Sequence, residues 1–243
     1  MKQKIGAVLG IVAYVTLLIG VNFYHKAYSV SNMNDEIHLK LVEYMETHRF
    51  EAVEPRIDSV WDFVPGLVGA EVDYELSYNK MLLNGEFDPS LIVCKKIDYK
   101  QDPEQFRERP IYKGNEEGQY VSLLINVAWG EEELDKMMTI LDRLGVRATF
   151  FFEGRYADNH KNQVVKLYND GHLIGNHSYS HPSRWGGFTY DQYVEEIKKT
   201  NDVLSSIINE PIIYFAPPAG EFNDRTLKAA YDQGMYSIMW TAD

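Results

Sequence analysis

The chain has 243 residues and a single cysteine, Cys94. An intramolecular disulfide is therefore excluded, and the fold must hold without a covalent staple. Cys94 closes the apolar run Leu91-Ile92-Val93-Cys94, which reads as a strand, so its thiol is expected to be a small core group rather than a reactive one. Cationic side chains are also in deficit: 24 Lys and Arg stand against 36 Asp and Glu, a formal net charge of −12. A surface of that sign repels phosphate backbones and argues against nucleic acid as a partner. The chain has no internal repeat and no low-complexity tract. Its 45% of hydrophobic residues suits a packed core rather than a disordered chain.

The N-terminus has a character of its own. Lys2 and Lys4 precede an uncharged run from Ile5 to Tyr24, which as a helix would reach roughly 30 Å, the thickness of a bilayer's hydrocarbon layer. The exit Tyr24-His25-Lys26-Ala27-Tyr28-Ser29 lacks the small-residue pattern of a cleavage site. Residues 1–28 are therefore expected to be an uncleaved transmembrane anchor. The lysines before the run favour an inside N-terminus and an extracytoplasmic remainder.

Three further segments follow. Residues 29–97 read as a helix plus a small α+β module. Ile37, Leu41, Tyr44 and Met45 fall at helical spacing, and Tyr74 to Leu83 forms a second helix ended near Asn84-Gly85. Asp58, Trp61, Glu71 and Asp73 in this module form no recognisable constellation. Residues 98–119 are polar, with Pro103, Pro110, Gly114 and Gly118, and read as a linker. Over residues 120–243 strand-like and helix-like stretches alternate: strands at 121–127, 146–152, 172–175, 212–215 and 236–240, helices at 131–144, 159–169, 189–208 and 224–233. Such alternation implies parallel strands joined by crossovers, an α/β sheet or barrel with its site at the carboxyl ends of the strands. The chain stops inside what should be a further βα unit, so the barrel is expected to be incomplete on its C-terminal side.

The chemistry-bearing residues stand just after those strands. Gly171-His172-Leu173-Ile174-Gly175-Asn176-His177-Ser178-Tyr179-Ser180-His181 carries two histidines four apart, half of a metal site. Leu124-Ile125-Asn126-Val127-Ala128-Trp129-Gly130, which should supply the other half, has no acid. With Gly145-Val146-Arg147-Ala148-Thr149-Phe150-Phe151-Phe152 and Phe215-Ala216-Pro217-Pro218-Ala219-Gly220, these segments in this order resemble the polysaccharide deacetylase family, the NodB-type homology domain of carbohydrate esterases. The wording around Ile125 to Gly130 and Ile238 to Asp243 is similar to its sporulation-type, membrane-anchored subgroup.

The resemblance implies a distorted (β/α) barrel and a divalent metal, often zinc, held by one aspartate and two histidines. It implies a second aspartate as general base, an arginine orienting that base, and a later histidine as general acid. The reaction would remove an N-acetyl group from an amino-sugar polymer. Carried over by position, His177 and His181 match the two histidine ligands. Ala128 stands at the base position, Trp129 at the metal-carboxylate position and Ala216 at the arginine position. A methyl group takes no proton and an indole only donates. No catalytic side chain is therefore assigned, and a zinc site at His177 and His181 would be weak or absent.

The resemblance thus points to a pseudoenzyme that binds or scaffolds at cell-wall or spore polysaccharide, anchored to the membrane by its N-terminal helix. Two alternatives stay open. One is an active metal-dependent deacetylase in which Glu131 or Glu132 replaces the lost carboxylate, against the simpler reading of Glu131 to Glu133 as first-turn acids favoured by the helix dipole. The other is a structural protein that engages a partner through the small module. Trp129 is expected to fill the vacated metal pocket, with a sugar-stacking face as the alternative. His172 is expected to pack or hydrogen-bond at a strand start, and Trp185-Gly186-Gly187-Phe188 to be a loop with apolar anchors, with sugar binding as its alternative.

Overall fold

The computed structural model describes residues 33–118, 120–129 and 131–242, without the side chains of Glu131 and Glu132. The expected anchor, residues 1–28, lies outside them. Among the described residues no helix is long and apolar enough to cross a membrane. Residues 33–47 are helical (α1). Then come β1 (Arg56–Asp58), β2 (Asp62–Val64), β3 (Gly69–Val72), α2 (Tyr74–Asn84), β4 (Cys94–Ile97), β5 (Leu124–Val127), α3 (Glu131–Leu144), β6 (Thr149–Phe152), α4 (Gly154–Asn159), α5 (Lys161–Asn169), β7 (Leu173–Asn176), α6 (Tyr190–Ile208), β8 (Tyr214–Phe215), α7 (Asp224–Asp232) and β9 (Tyr236–Ser237). The described residues split into two compact units: one comprises residues 33–52 with Val68–Asp98, the other Val53–Leu67 with residues 99–242.

In the first unit α1 and α2 bury Ile37, Leu41 and Met81 together with Val72. The Asp73 side chain accepts from the Leu76 N–H, and Gly85 ends α2 in the left-handed region (φ 89°), which a glycine adopts without strain. The strand expected at Leu91 to Cys94 is displaced. Asp88 accepts from the Ser90 N–H, Pro89 opens a 3-10 turn over Pro89–Leu91, and β4 begins only at Cys94. Cys94 is consequently exposed, not part of a core.

The second unit is an α/β fold. Its five-stranded sheet runs β5-β6-β7-β8-β9, with every neighbouring pair parallel. Each crossover advances one strand in the same direction, the winding of a (β/α) barrel. The strand β6 is buried on both faces, so its sequence is a continuous apolar run: Phe150, Phe151 and Phe152 have no exposed surface. Phe150 and Phe152 pack with Trp185, Tyr193, Ile197 and Phe215 under the helices. Phe151 lies opposite Gly175 in β7, where a Cβ would stand 2.5 Å from the phenyl ring.

Two organisational expectations change. Residues 98–119 are not a free linker: the Ile111 N–H donates to the Ser237 carbonyl (2.9 Å) and its carbonyl accepts from the Met239 N–H (2.8 Å), so Ile111 extends the sheet past β9. Phe106 stacks on Phe63 of β2 at 4.9 Å, which ties the β1–β2 hairpin into this unit. The helix expected over residues 159–169 is α5, which starts at Lys161; a separate short helix, α4, precedes it, and the two meet at His160, whose backbone leaves the helical region (φ −126°, ψ 40°).

Candidate functional site

The parallel ladder sets the site. Val127, Phe152, Asn176, Phe215 and Ser237 are register partners across β5 to β9. The residues that follow them, Ala128, Glu153, His177, Ala216 and Ile238, therefore form one row along the carboxyl ends of the strands. Backbone bonds hold that row: Glu153 N–H to Val127 O, His177 N–H to Phe152 O and Ala216 N–H to Asn176 O, each 2.9 Å.

His177 is buried, with 2% of its surface exposed. Its Nδ1 lies 2.7 Å from the Ala216 carbonyl oxygen, which can only accept, so Nδ1 carries the proton and Nε2 is the free lone pair. Burial lowers its pKa from 6.5 to about 4, a shift partly opposed by that hydrogen bond and added to by His181. The ring is neutral at physiological pH. The His181 ring stands 5.0 Å from it, centroid to centroid, so the structure brings the two matched histidines together.

A strained loop carries them. Ser178 and His181 have positive φ, 64° and 44°, unusual for residues with a Cβ. Several groups fix this conformation. The Asn176 Oδ1 accepts the Ser178 N–H (2.8 Å), while its Nδ2 donates to Ile197 O and Asn201 Oδ1, both in α6. Ser178 Oγ accepts the His181 N–H at 3.1 Å. The Glu196 carboxylate accepts the N–H groups of Tyr179 and Ser180 and the Ser180 hydroxyl at 2.8–2.9 Å. Gly154 N–H donates to Ser178 O, and a Cβ on Gly154 would meet the Tyr179 ring at 2.5 Å. Glu196 and Asn201 lie 15 and more residues beyond His181 in sequence, and no local pattern marks them.

The acids around the row are engaged elsewhere. Glu153 caps α4 through the Tyr156 N–H and pairs with Arg155 at 3.0 Å. Glu133 is exposed and pairs with Lys136 at 2.9 Å. The side chains of Glu131 and Glu132 lie outside the described ones. Among the described residues no group of three or more His, Cys, Asp or Glu side chains could hold a metal ion. Two imidazoles alone do not fit a catalytic-type zinc site, which takes three protein ligands.

Trp129 departs from expectation. It does not fill a vacated pocket: 74% of it is exposed. Its ring centroid lies 5.2 Å from that of His181, with the planes 84° apart. Two further expectations of this region, at His172 and Trp185, agree with the structure. His172 is buried and its Nδ1 accepts the Ala148 N–H at 3.1 Å. Trp185 is buried and packs against Tyr193 and Phe215.

The profile of the polysaccharide deacetylase family matches residues 113–238, over half of the chain and the whole of this strand-end row. The chain belongs to the polysaccharide deacetylase family. It is 37% identical over 215 residues to the uncharacterized protein YlxY of Bacillus subtilis, spanning 88% of this chain and 67% of that one. A peptidoglycan-N-acetylglucosamine deacetylase of Bacillus cereus is 36% identical over 114 residues, 46% of this chain and 41% of the relative. Among solved structures, a CE4 family pseudoenzyme of Bacillus anthracis superposes with a TM-score of 0.68 at 33% identity, covering 85% of this chain and 73% of that one. A mutant of that pseudoenzyme has restored enzymatic activity.

Proposed function

We propose that this chain is a non-hydrolytic polysaccharide deacetylase relative that binds an N-acetylated cell-wall or spore polysaccharide. In this reading residues 1–28 anchor it to the membrane and the two units lie outside. The observation that carries the proposal is the strand-end row itself: it holds Ala128 and Ala216 where the family's base and its arginine would stand, with His177 between them beside Glu153. A general base contributes about 10²–10⁴ in rate. His177 is a poor replacement, because a group with a pKa of about 4 is a weak proton acceptor at neutral pH. The loss of a carboxylate at Trp129 removes a metal ligand as well. These losses are coherent: an orienting arginine has nothing to orient once its base is gone. The name of the Bacillus cereus relative, a peptidoglycan-N-acetylglucosamine deacetylase, supports a glycan of that class as the ligand.

The test is co-sedimentation of the full chain with purified peptidoglycan. Retention on the native polymer, with its acetyl content unchanged, is the expected result. A chain left in the supernatant would refute the binding reading, and a polymer that loses acetyl groups would refute the non-hydrolytic one.

A further inference from the structure

The structure assigns Trp129 the role of a stacking platform for a pyranose ring of an N-acetylated hexosamine polymer, an assignment that rests on the polysaccharide-binding reading above. An exposed apolar side chain alone carries no such weight: Leu83 is 92% exposed and no ligand follows from it. Trp129 differs in three respects. It stands one residue beyond the strand-end row, at the carboxyl edge of a parallel sheet, where ligands of α/β folds bind. Its ring has an aromatic neighbour, meeting His181 at 5.2 Å with the planes 84° apart. His181 is fixed through Ser178 Oγ, and Ser178 through Asn176. Third, an indole suits this ligand. Its apolar face takes the C–H face of a sugar, and its N–H can donate to a hydroxyl or an acetyl carbonyl.

The surrounding chemistry narrows the ligand. His181, half-buried beside the indole, supplies a second polar group within one sugar's reach. The residue that replaces the metal carboxylate thus serves ligand capture.

The test is titration of the full chain with N-acetylglucosamine oligomers, followed by tryptophan fluorescence and by calorimetry. Trp185 is buried, Trp61 and Trp240 are half-buried, and Trp129 is the exposed indole of the four. Ligand over its face should shift the emission to shorter wavelength. Trp129→Ala should weaken binding about tenfold, equivalent to about 1.4 kcal/mol, and abolish the shift. Trp129→Phe should keep most of the affinity while losing the shift. Unchanged thermal unfolding of both variants is expected from the exposure of the site. A Trp129→Ala chain that binds as tightly as the wild type overturns the assignment and leaves polysaccharide binding standing. A wild-type chain that binds no oligomer and no polymer overturns both.

Discussion

The Nδ1 of His177 and the carbonyl oxygen of Ala216 lie 2.7 Å apart, so the backbone of one strand end fixes the tautomer of the histidine on the next. The contact needs no side chain at position 216, and Ala216 itself is 1% exposed. The imidazole geometry therefore survives in a row whose base and arginine positions are Ala128 and Ala216. Second-layer contacts of this kind commonly orient metal-binding histidines.

Burial of His177 makes folding sensitive to acid. Its folded pKa of about 4 lies below the unfolded value of 6.5, so the unfolded chain binds more protons between those values. Stability from this group is complete above pH 6.5, falls as the pH drops through this window, and levels off below about 4. Denaturant unfolding of wild type and His177→Asn across the window measures it. The variant's stability should fall less steeply with acidification, and equal slopes would contradict the buried neutral imidazole.

Glu196 should hold the histidine loop. Glu196→Ala leaves the N–H groups of Tyr179 and Ser180 without their acceptor and should cost about 2–3 kcal/mol, with Glu196→Gln nearer 1 kcal/mol. Hydrogen exchange at those two amides should quicken in the same order, which separates loop release from a general loss of stability.

The histidine pair and the alternation of strands and helices were legible because they are local patterns. Thr189 and Gln192 form a capping box at the start of α6, and the Asp170-Gly171 turn ends α5. What sequence could not supply was long-range. Glu196 reaches back to the loop across 16 and 17 residues, and nothing near it signals the contact. Residues 98–119 looked like a linker because Phe106 and Ile111 are isolated apolar residues without a period; only their partners Phe63 and β9 give them a role. Cys94 was misplaced because an apolar run outweighed the Asp88-Pro89 turn signal that delays the strand. The position of Trp129 in the motif suggests a pocket filler, whereas its surroundings leave the ring open.

Gly154→Ala tests how tightly α4 abuts the histidine loop. The added methyl would stand 2.5 Å from the Tyr179 ring and 2.8 Å from Thr200 Oγ1, with little room to relax. A loss of about 1–3 kcal/mol is expected in chemical denaturation, together with displaced imidazole resonances of His177 and His181.

Restoring the lost groups should restore the donor set. Ala128→Asp, Trp129→Asp and Ala216→Arg together should raise zinc affinity by at least about tenfold over wild type in calorimetric titration, because a third ligand completes a catalytic-type site. His177→Ala in the same background should remove the gain. No gain in the triple variant would count against Trp129 as the carboxylate position.

Acetate release tests the central claim most directly. The full chain, incubated with zinc and N-acetylglucosamine oligomers, should release no acetate above the protein-free control. Release that disappears in His177→Ala would contradict the account and show that this site still hydrolyses.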